Sequence, residues 1–179
     1  MNQILQRFAP SQRLLHWLMA ACILAMLFIG VGMLSTVTQR YLVLISIHKP
    51  LGLAILLLVL VRIAVRLRFG APPLPPDLPE PMKLAAHLSH YAFYALMLAM
   101  PLLGWGMLSA GAYPVQVLGV TLPPILPHSD ALHSLLWNAH RTLAFAFFAL
   151  FLAHLGAALF HAWIRRDEVF PQMAKGDPR

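Results

Sequence analysis

Seven histidines lie within or at the edges of long apolar stretches of this 179-residue chain: His16, His48, His87, His90, His140, His154 and His161. An imidazole in lipid is a polar ring with no water to bond, so it needs a partner, and a metal ion is one that imidazole serves well. The most specific signal is the spacing of His140 and His154. Fourteen residues advance an α-helix by about 1400°, which leaves the two rings within roughly 40° of one face and about 21 Å apart. One ring would then sit near each surface of a bilayer. Imidazoles on facing helices of a bundle are a usual way to hold haem iron. A single membrane histidine is more often a hydrogen-bonded structural residue than a ligand. Two of them at this spacing, each with a partner at its own depth, favour ligation.

The elements that must position these rings are legible in the composition. The chain is 60% hydrophobic and 11% charged, with a mean hydropathy of +0.73, against roughly 25% charged residues in a soluble domain. Four apolar runs, about 14–34, 42–67, 84–110 and 135–164, are each long enough to cross a hydrocarbon core as a helix. The expected fold is all-α: an up–down four-helix integral membrane bundle forming one domain over residues 1–179. Thr36–Arg40 is a short linker. Pro72, Pro73, Pro75, Pro76, Pro79 and Pro81 make the second a stiff, extended connector. Gly111–Ala131, broken by Pro114, Pro123, Pro124 and Pro127, cannot span and is expected at the interface, with His128 and His133 as loop residues.

Charge gives orientation and excludes some functions. Arg7, Arg13, Arg62, Arg66, Arg68, Lys83, Arg165, Arg166, Lys175 and Arg179 fall on one side of the expected topology, and only Arg40, Lys49 and Arg141 on the other. Both termini are therefore expected in the cytoplasm. The net charge of +7 reflects these flanking residues, and nucleic acid is not an expected partner. All six acidic residues lie outside the runs, which argues against ion-coupled transport. The single cysteine, Cys22, permits no intrachain disulfide, and the Cys-x-x-Cys-His attachment pattern is absent, so any haem is held non-covalently. The first run is too long for a signal-peptide core and reads as a retained span.

Depth then selects partners. His48 begins the second run on the same side as His140, and His16 begins the first on the same side as His154. The expected pairs are His48 with His140 and His16 with His154. His87 and His90 share the depth of His154, so this geometry leaves them as rivals to His16.

The chain resembles the bacterial cytochrome b561 family over nearly its whole length. The matching stretches are Leu15-His16-Trp17, Ile47-His48-x-x-x-Gly52, Val61-Arg62-x-x-x-Arg66, Ala86-His87-Leu88-x-His90, Pro101-x-x-Gly104 and His140-x₁₃-His154-x₆-His161. The resemblance implies that His16, His48, His140 and His154 are the axial ligands of two haems b in a multi-pass protein of the bacterial inner membrane. It also implies electron transfer linked to quinone. The family includes stand-alone proteins resembling superoxide oxidase, and the compact chain looks most like that type, passing electrons from superoxide to ubiquinone. A cytochrome b subunit serving a partner dehydrogenase or hydrogenase is the alternative. A haem-free membrane protein with structural or otherwise metal-binding histidines is the second. Lys49 and Arg141, which follow the two outer histidines, are not family motif residues.

Further residues take expected roles around the haems. Gly52, Arg62, Arg66, His87, His90 and Arg141 are candidates for packing against a macrocycle or neutralising its propionates. His161, with Trp17 and Trp163, is the candidate quinone contact. Lys49, Arg141 and Arg40 are candidates for steering an anionic donor such as superoxide.

Overall fold

The computed structural model describes residues 7–175. Among them are four helices long and apolar enough to cross a membrane. The protein is a four-helix membrane bundle: α1 spans Pro10–Leu34, α2 Gln39–Phe69, α3 Glu80–Ala110 and α4 Asp130–Leu159. Local chemistry marks the starts of α1, α2 and α4. Pro10 opens α1, where a missing N–H costs nothing. The Thr38 side chain accepts from the Arg40 amide at α2, and Ser129 accepts from Leu132 at α4. Gly70, at a φ of 70°, ends α2 in a conformation that favours glycine. Gln12 accepts from the Ala9 amide and donates to the Gly70 carbonyl at 2.8 Å, which ties the start of α1 to the end of α2.

α1 packs chiefly on α2, and α3 on α4. α2 joins the two pairs through α3, whereas α1 meets α4 only sparsely. The small core is Met19, Ile23 and Leu27 of α1, Ile55 and Val59 of α2, Met97 of α3 and Phe147 of α4. Most other large apolar side chains face outward, among them Leu14, Phe28, Leu42, Leu57, Leu88, Phe145 and Leu152. This is the pattern of a bundle whose solvent is lipid, where nothing is gained by hiding a leucine.

Three features depart from the sequence expectation. The all-α description omits a hairpin in the third linker, β1 (Val115–Val117) paired antiparallel to β2 (Val120–Leu122). Its turn residues Leu118 and Gly119 have φ values of 50° and 82°, the left-handed pair that a two-residue hairpin turn requires. The strands are three residues each, too short for an alternating pattern to stand out between prolines. Next, α4 starts at Asp130, ahead of its apolar run, so His133 is helical, whereas His128 remains in the linker. Finally, α4 continues into a π-helical turn, Phe160–Arg165, closed by Arg166 at a φ of 54°. A short helix α5, Val169–Ala174, follows.

The linker is fastened to the ends of α3 and α4. Trp105 Nε1 donates to the Pro123 carbonyl at 3.0 Å, and His133 Nδ1 to the Met107 carbonyl at 2.7 Å. At Gly111 a methyl group would lie 2.7 Å from both His133 Nδ1 and the Tyr113 ring. Gly111→Ala must therefore displace the ring that holds the two helix ends together. Overpacking of this kind costs about 1–3 kcal/mol. The variant is expected to melt several degrees below the unaltered protein in detergent, followed by circular dichroism. An unchanged melting temperature would show that Tyr113 and His133 yield freely.

Candidate functional site

α4 carries the two central histidines on one stripe. Phe147 lies midway between them, seven residues from each, and is buried. At the hairpin end of the bundle the His140 ring faces that of His48 on α2, with centroids 6.1 Å apart. Gly104 of α3 backs His140, and a methyl group there would stand 3.5 Å from His140 Cε1. The Nδ1 atoms of both His48 and His140 are buried without a hydrogen-bond partner among the described residues. Leaving such an atom unpaired in an apolar setting is unfavourable by about 1–3 kcal/mol.

At the opposite end, which carries the start of α1 and the end of α4, His154 faces His16 with centroids 6.3 Å apart. His90 of α3 lies equally near, at 5.9 Å, and Phe93 packs edge-on to His154 at 5.1 Å. Phe93 also meets Phe147, at 5.8 Å, so an aromatic pair separates the two histidine clusters. Arg62 of α2 reaches His16 Nδ1 with Nη2 at 3.1 Å and Tyr94 Oη with Nε at 3.3 Å.

These distances test the fit to haem iron. A metal–imidazole bond of about 2 Å on each side, plus half a ring at either end, puts two opposed imidazole centroids roughly 6 Å apart. Both cross-bundle pairs meet that requirement. Each joins α4 to a helix it does not closely contact, so the pairs bridge space within the bundle. The unpartnered ring nitrogens of His48 and His140 fit it as well.

The remaining expected residues are distributed unevenly. Gly52 lies on α2 one turn beyond His48, where a methyl group would meet only the Met26 side-chain methyl at 3.7 Å. Arg66 stacks over the Phe8 ring at 5.8 Å. His87 is exposed and makes no ring contact among the described residues. Lys49 is half-buried and Arg141 and Arg40 are exposed; none of the three makes an ion pair among the described residues. Trp17 donates its indole N–H to the Met173 carbonyl at 3.2 Å, which docks α5 on α1, and Trp163 is exposed.

His161 opens onto a group that sequence reasoning missed. Its α-helical phase relative to His154 does not extend past Leu159, because the π-helical turn begins at Phe160. Its ring is buried, and Nδ1 donates to Asp167 Oδ2 at 2.7 Å. Arg165 Nε donates to the same oxygen at 2.8 Å, and the Val169 amide to Oδ1 at 3.1 Å. Arg165 also pairs with Asp77 of the proline-rich linker. Phe93, Tyr94 and Asp167 carried no individual signal, since each acquires its role from a residue on another helix or across a turn, and the Pro101-x-x-Gly104 stretch marked Gly104 without showing that it backs His140.

Comparison with known proteins follows the same lines. The family model described as Prokaryotic cytochrome b561 matches residues 7–176. Cytochrome b561 homolog 1 of Escherichia coli (strain K12) is 28% identical, over 94% of this chain and 97% of its own length. Cytochrome b561 homolog 2 of the same organism is 28% identical, over 94% and 91%. A protein of Yersinia pestis named Probable superoxide oxidase CybB is 31% identical, over 71% of this chain and 72% of its own.

Burial opposes ionisation of Asp167, but the hydrogen bonds from His161, the Val169 amide and Arg165 outweigh it and hold the carboxyl below its ordinary value of 3.8. A carboxylate with a depressed folded pKa contributes stability that is present above the unfolded value and lost as pH falls through the folded one. The Asp167 contacts should thus persist as pH is lowered to 3.8 and fail only below it. Isotope-edited infrared spectroscopy, with Asp167→Asn identifying the band, checks this. Protonation above 3.8 would contradict the arrangement.

Proposed function

The chain belongs to the prokaryotic cytochrome b561 family of haem b membrane electron-transfer proteins, and on that premise we propose that it is a di-haem superoxide:ubiquinone oxidoreductase of the bacterial inner membrane. The observation that carries the di-haem reading is the two cross-bundle imidazole pairs, at 6.1 and 6.3 Å, set fourteen residues apart on α4. His48 and His140 would hold one haem, and His16 and His154 the other. Bound there, the haems supply one-electron relays across the bilayer. With two of these imidazoles given to each iron, the residues here would leave the metal no open position, and the haems would supply outer-sphere electron transfer.

The protein's own residues prepare the two ends for different partners. With both termini in the cytoplasm, the hairpin end faces outward. There Lys49 and Arg141 adjoin His48 and His140 in the chain, with Arg40 at the start of α2. These cations, free of ion pairs among the described residues, raise the local concentration of a small anion. Superoxide needs no docking surface, and the name of the Yersinia pestis relative supports the same donor. Two superoxide anions each lose one electron and leave as dioxygen, while ubiquinone gains two electrons and two protons.

The termini end is the proposed quinone side. His161, with its Nδ1–H given to Asp167, presents Nε2, which donates to a quinone carbonyl when it carries a proton and can then pass that proton on. Trp163 lies two residues on, exposed toward lipid. Arg62, the guanidinium in contact with His16, is the candidate to neutralise a haem carboxylate.

Superoxide generated enzymatically beside the purified, oxidised protein is expected to reduce its haems rapidly. The rate should fall as salt screens charge over about 10 Å at 0.1 M. It should drop about 3–10-fold in a Lys49→Ala/Arg141→Ala variant. Reduction that persists unchanged with added superoxide dismutase would assign the electrons to a partner dehydrogenase or hydrogenase. A separate measurement addresses the quinone. His161→Ala should slow haem reoxidation by ubiquinone about tenfold or more with haem content unaltered, and an unchanged rate would reject the role of His161.

A further inference from the structure

The His154 end of the bundle holds one imidazole more than a bis-histidine iron uses. We propose that His90 is an alternative axial ligand there, able to take the position opposite His154 in place of His16. The inference rests on the haem reading above and concerns which side chains complete the site.

An imidazole opposed to His154 across an iron must have its centroid roughly 6 Å away. His16 meets this at 6.3 Å and His90 at 5.9 Å, and they approach from different helices, α1 and α3. Phe93 is nearer, at 5.1 Å, but offers no lone pair. His87 and His90, on the same helix, are both exposed in part, but only His90 makes a ring contact with His154 among the described residues.

The two rings differ in what already binds them. A guanidinium only donates, so the contact from Arg62 at 3.1 Å occupies the lone pair of His16 Nδ1. A neutral His16 then carries its proton on Nε2. Ligation through Nε2 requires that proton to move to Nδ1 and Arg62 to turn away; ligation through Nδ1 also requires Arg62 to leave. The ring nitrogens of His90 make no hydrogen bond among the described residues, so a lone pair is available without rearranging a neighbour. Exchange would break one iron–nitrogen bond to His16 and form one to His90. Iron would keep two imidazoles, no electron would be transferred, and no position would open to a gas.

The test uses the haem-loaded protein purified from the membrane. Haem content is read by pyridine haemochrome, spin state by electron paramagnetic resonance, and an open position by carbon monoxide binding to the reduced protein. The low-spin signal of the His48/His140 haem reports that a variant has folded. His16→Ala is expected to keep two haems, both low-spin, and to bind no more carbon monoxide than the unaltered protein. His16→Ala/His90→Ala should lose one haem or bind carbon monoxide at one. Should His16→Ala not accumulate, His16→Gln, which still offers Arg62 an acceptor, is read the same way. Loss of one haem, or carbon monoxide binding at one, in the single His16 variant overturns the proposal. His154→Ala separates the two levels: if it retains both bis-histidine haems, the underlying assignment of ligands fails as well.

Discussion

Polar rings placed inside a hydrocarbon solvent must be satisfied by the protein or by what it binds, and much of this bundle is arranged around that constraint. His140 and His154 project from one stripe of α4 into the bundle, and each meets an imidazole from a helix that does not pack closely against α4. A bundle optimised for side-chain packing alone would close α4 on α1 and fill the stripe with leucine. Here α4 leans on α3 and stands off from α1. Only Phe147 of the α4 helix proper is buried. The core is correspondingly small, and helix association draws on the α1–α2 and α3–α4 contacts and on fastened ends. Occupants of the two histidine pairs would together bind all four helices into one unit, because His16, His48, and both His140 and His154 belong to three of them and α3 supplies Gly104, Phe93 and His90.

The two ends of the bundle satisfy their polar groups differently. At the hairpin end, His48 and His140 keep unpaired Nδ1 atoms, and the nearby cations are not paired to carboxylates among the described residues. At the termini end, arginines are engaged with protein: Arg62 with His16 and Tyr94, and Arg165 with Asp167 and Asp77. One end thus keeps cations free of ion pairs among the described residues. The other uses charge to fasten the proline-rich linker and the π-helical turn around His161. π-helical turns concentrate at functional sites because they trade regular hydrogen bonding for the placement of a side chain. This one carries His161 to a carboxylate that a continuous α-helix would not have brought within reach in the same way.

Hydropathy and helical period made the frame legible. The four spans follow from apolar length, and the alignment of His140 with His154 follows from 3.6 residues per turn. The residues joined across helices were harder to read. Depth matching nominated His16, His87 and His90 alike as partners of His154, and the structure brings two of them, His16 and His90, to ring distance. The role of Gly104 depends on the rotation of α3 relative to α4, which no spacing within one helix encodes. The hairpin escaped notice because three-residue strands between prolines carry almost no periodic signal. Asp167 escaped because it lies past a change of helix type. Periodicity describes a side chain relative to its own helix axis, whereas a site depends on several axes at once.

That difference bears on how such a protein acquires specificity. On the proposed reading an iron held by two imidazoles would be closed to direct attack, so the protein surface at each end of the bundle, and not coordination chemistry, would choose the donor and acceptor. Within a shared set of histidines, changing the residues beside them would therefore redirect electron flow while leaving the histidines untouched. Lys49 and Arg141 occupy such positions, immediately after His48 and His140. A charge placed there can still interact with an ion nearing the membrane, because screening by salt is incomplete within about 10 Å. Substitutions at these two positions need not disturb the core, since neither side chain takes part in it. The scaffold thus separates an inner layer, where geometry and burial are demanding, from an outer layer where single charges can change the partner.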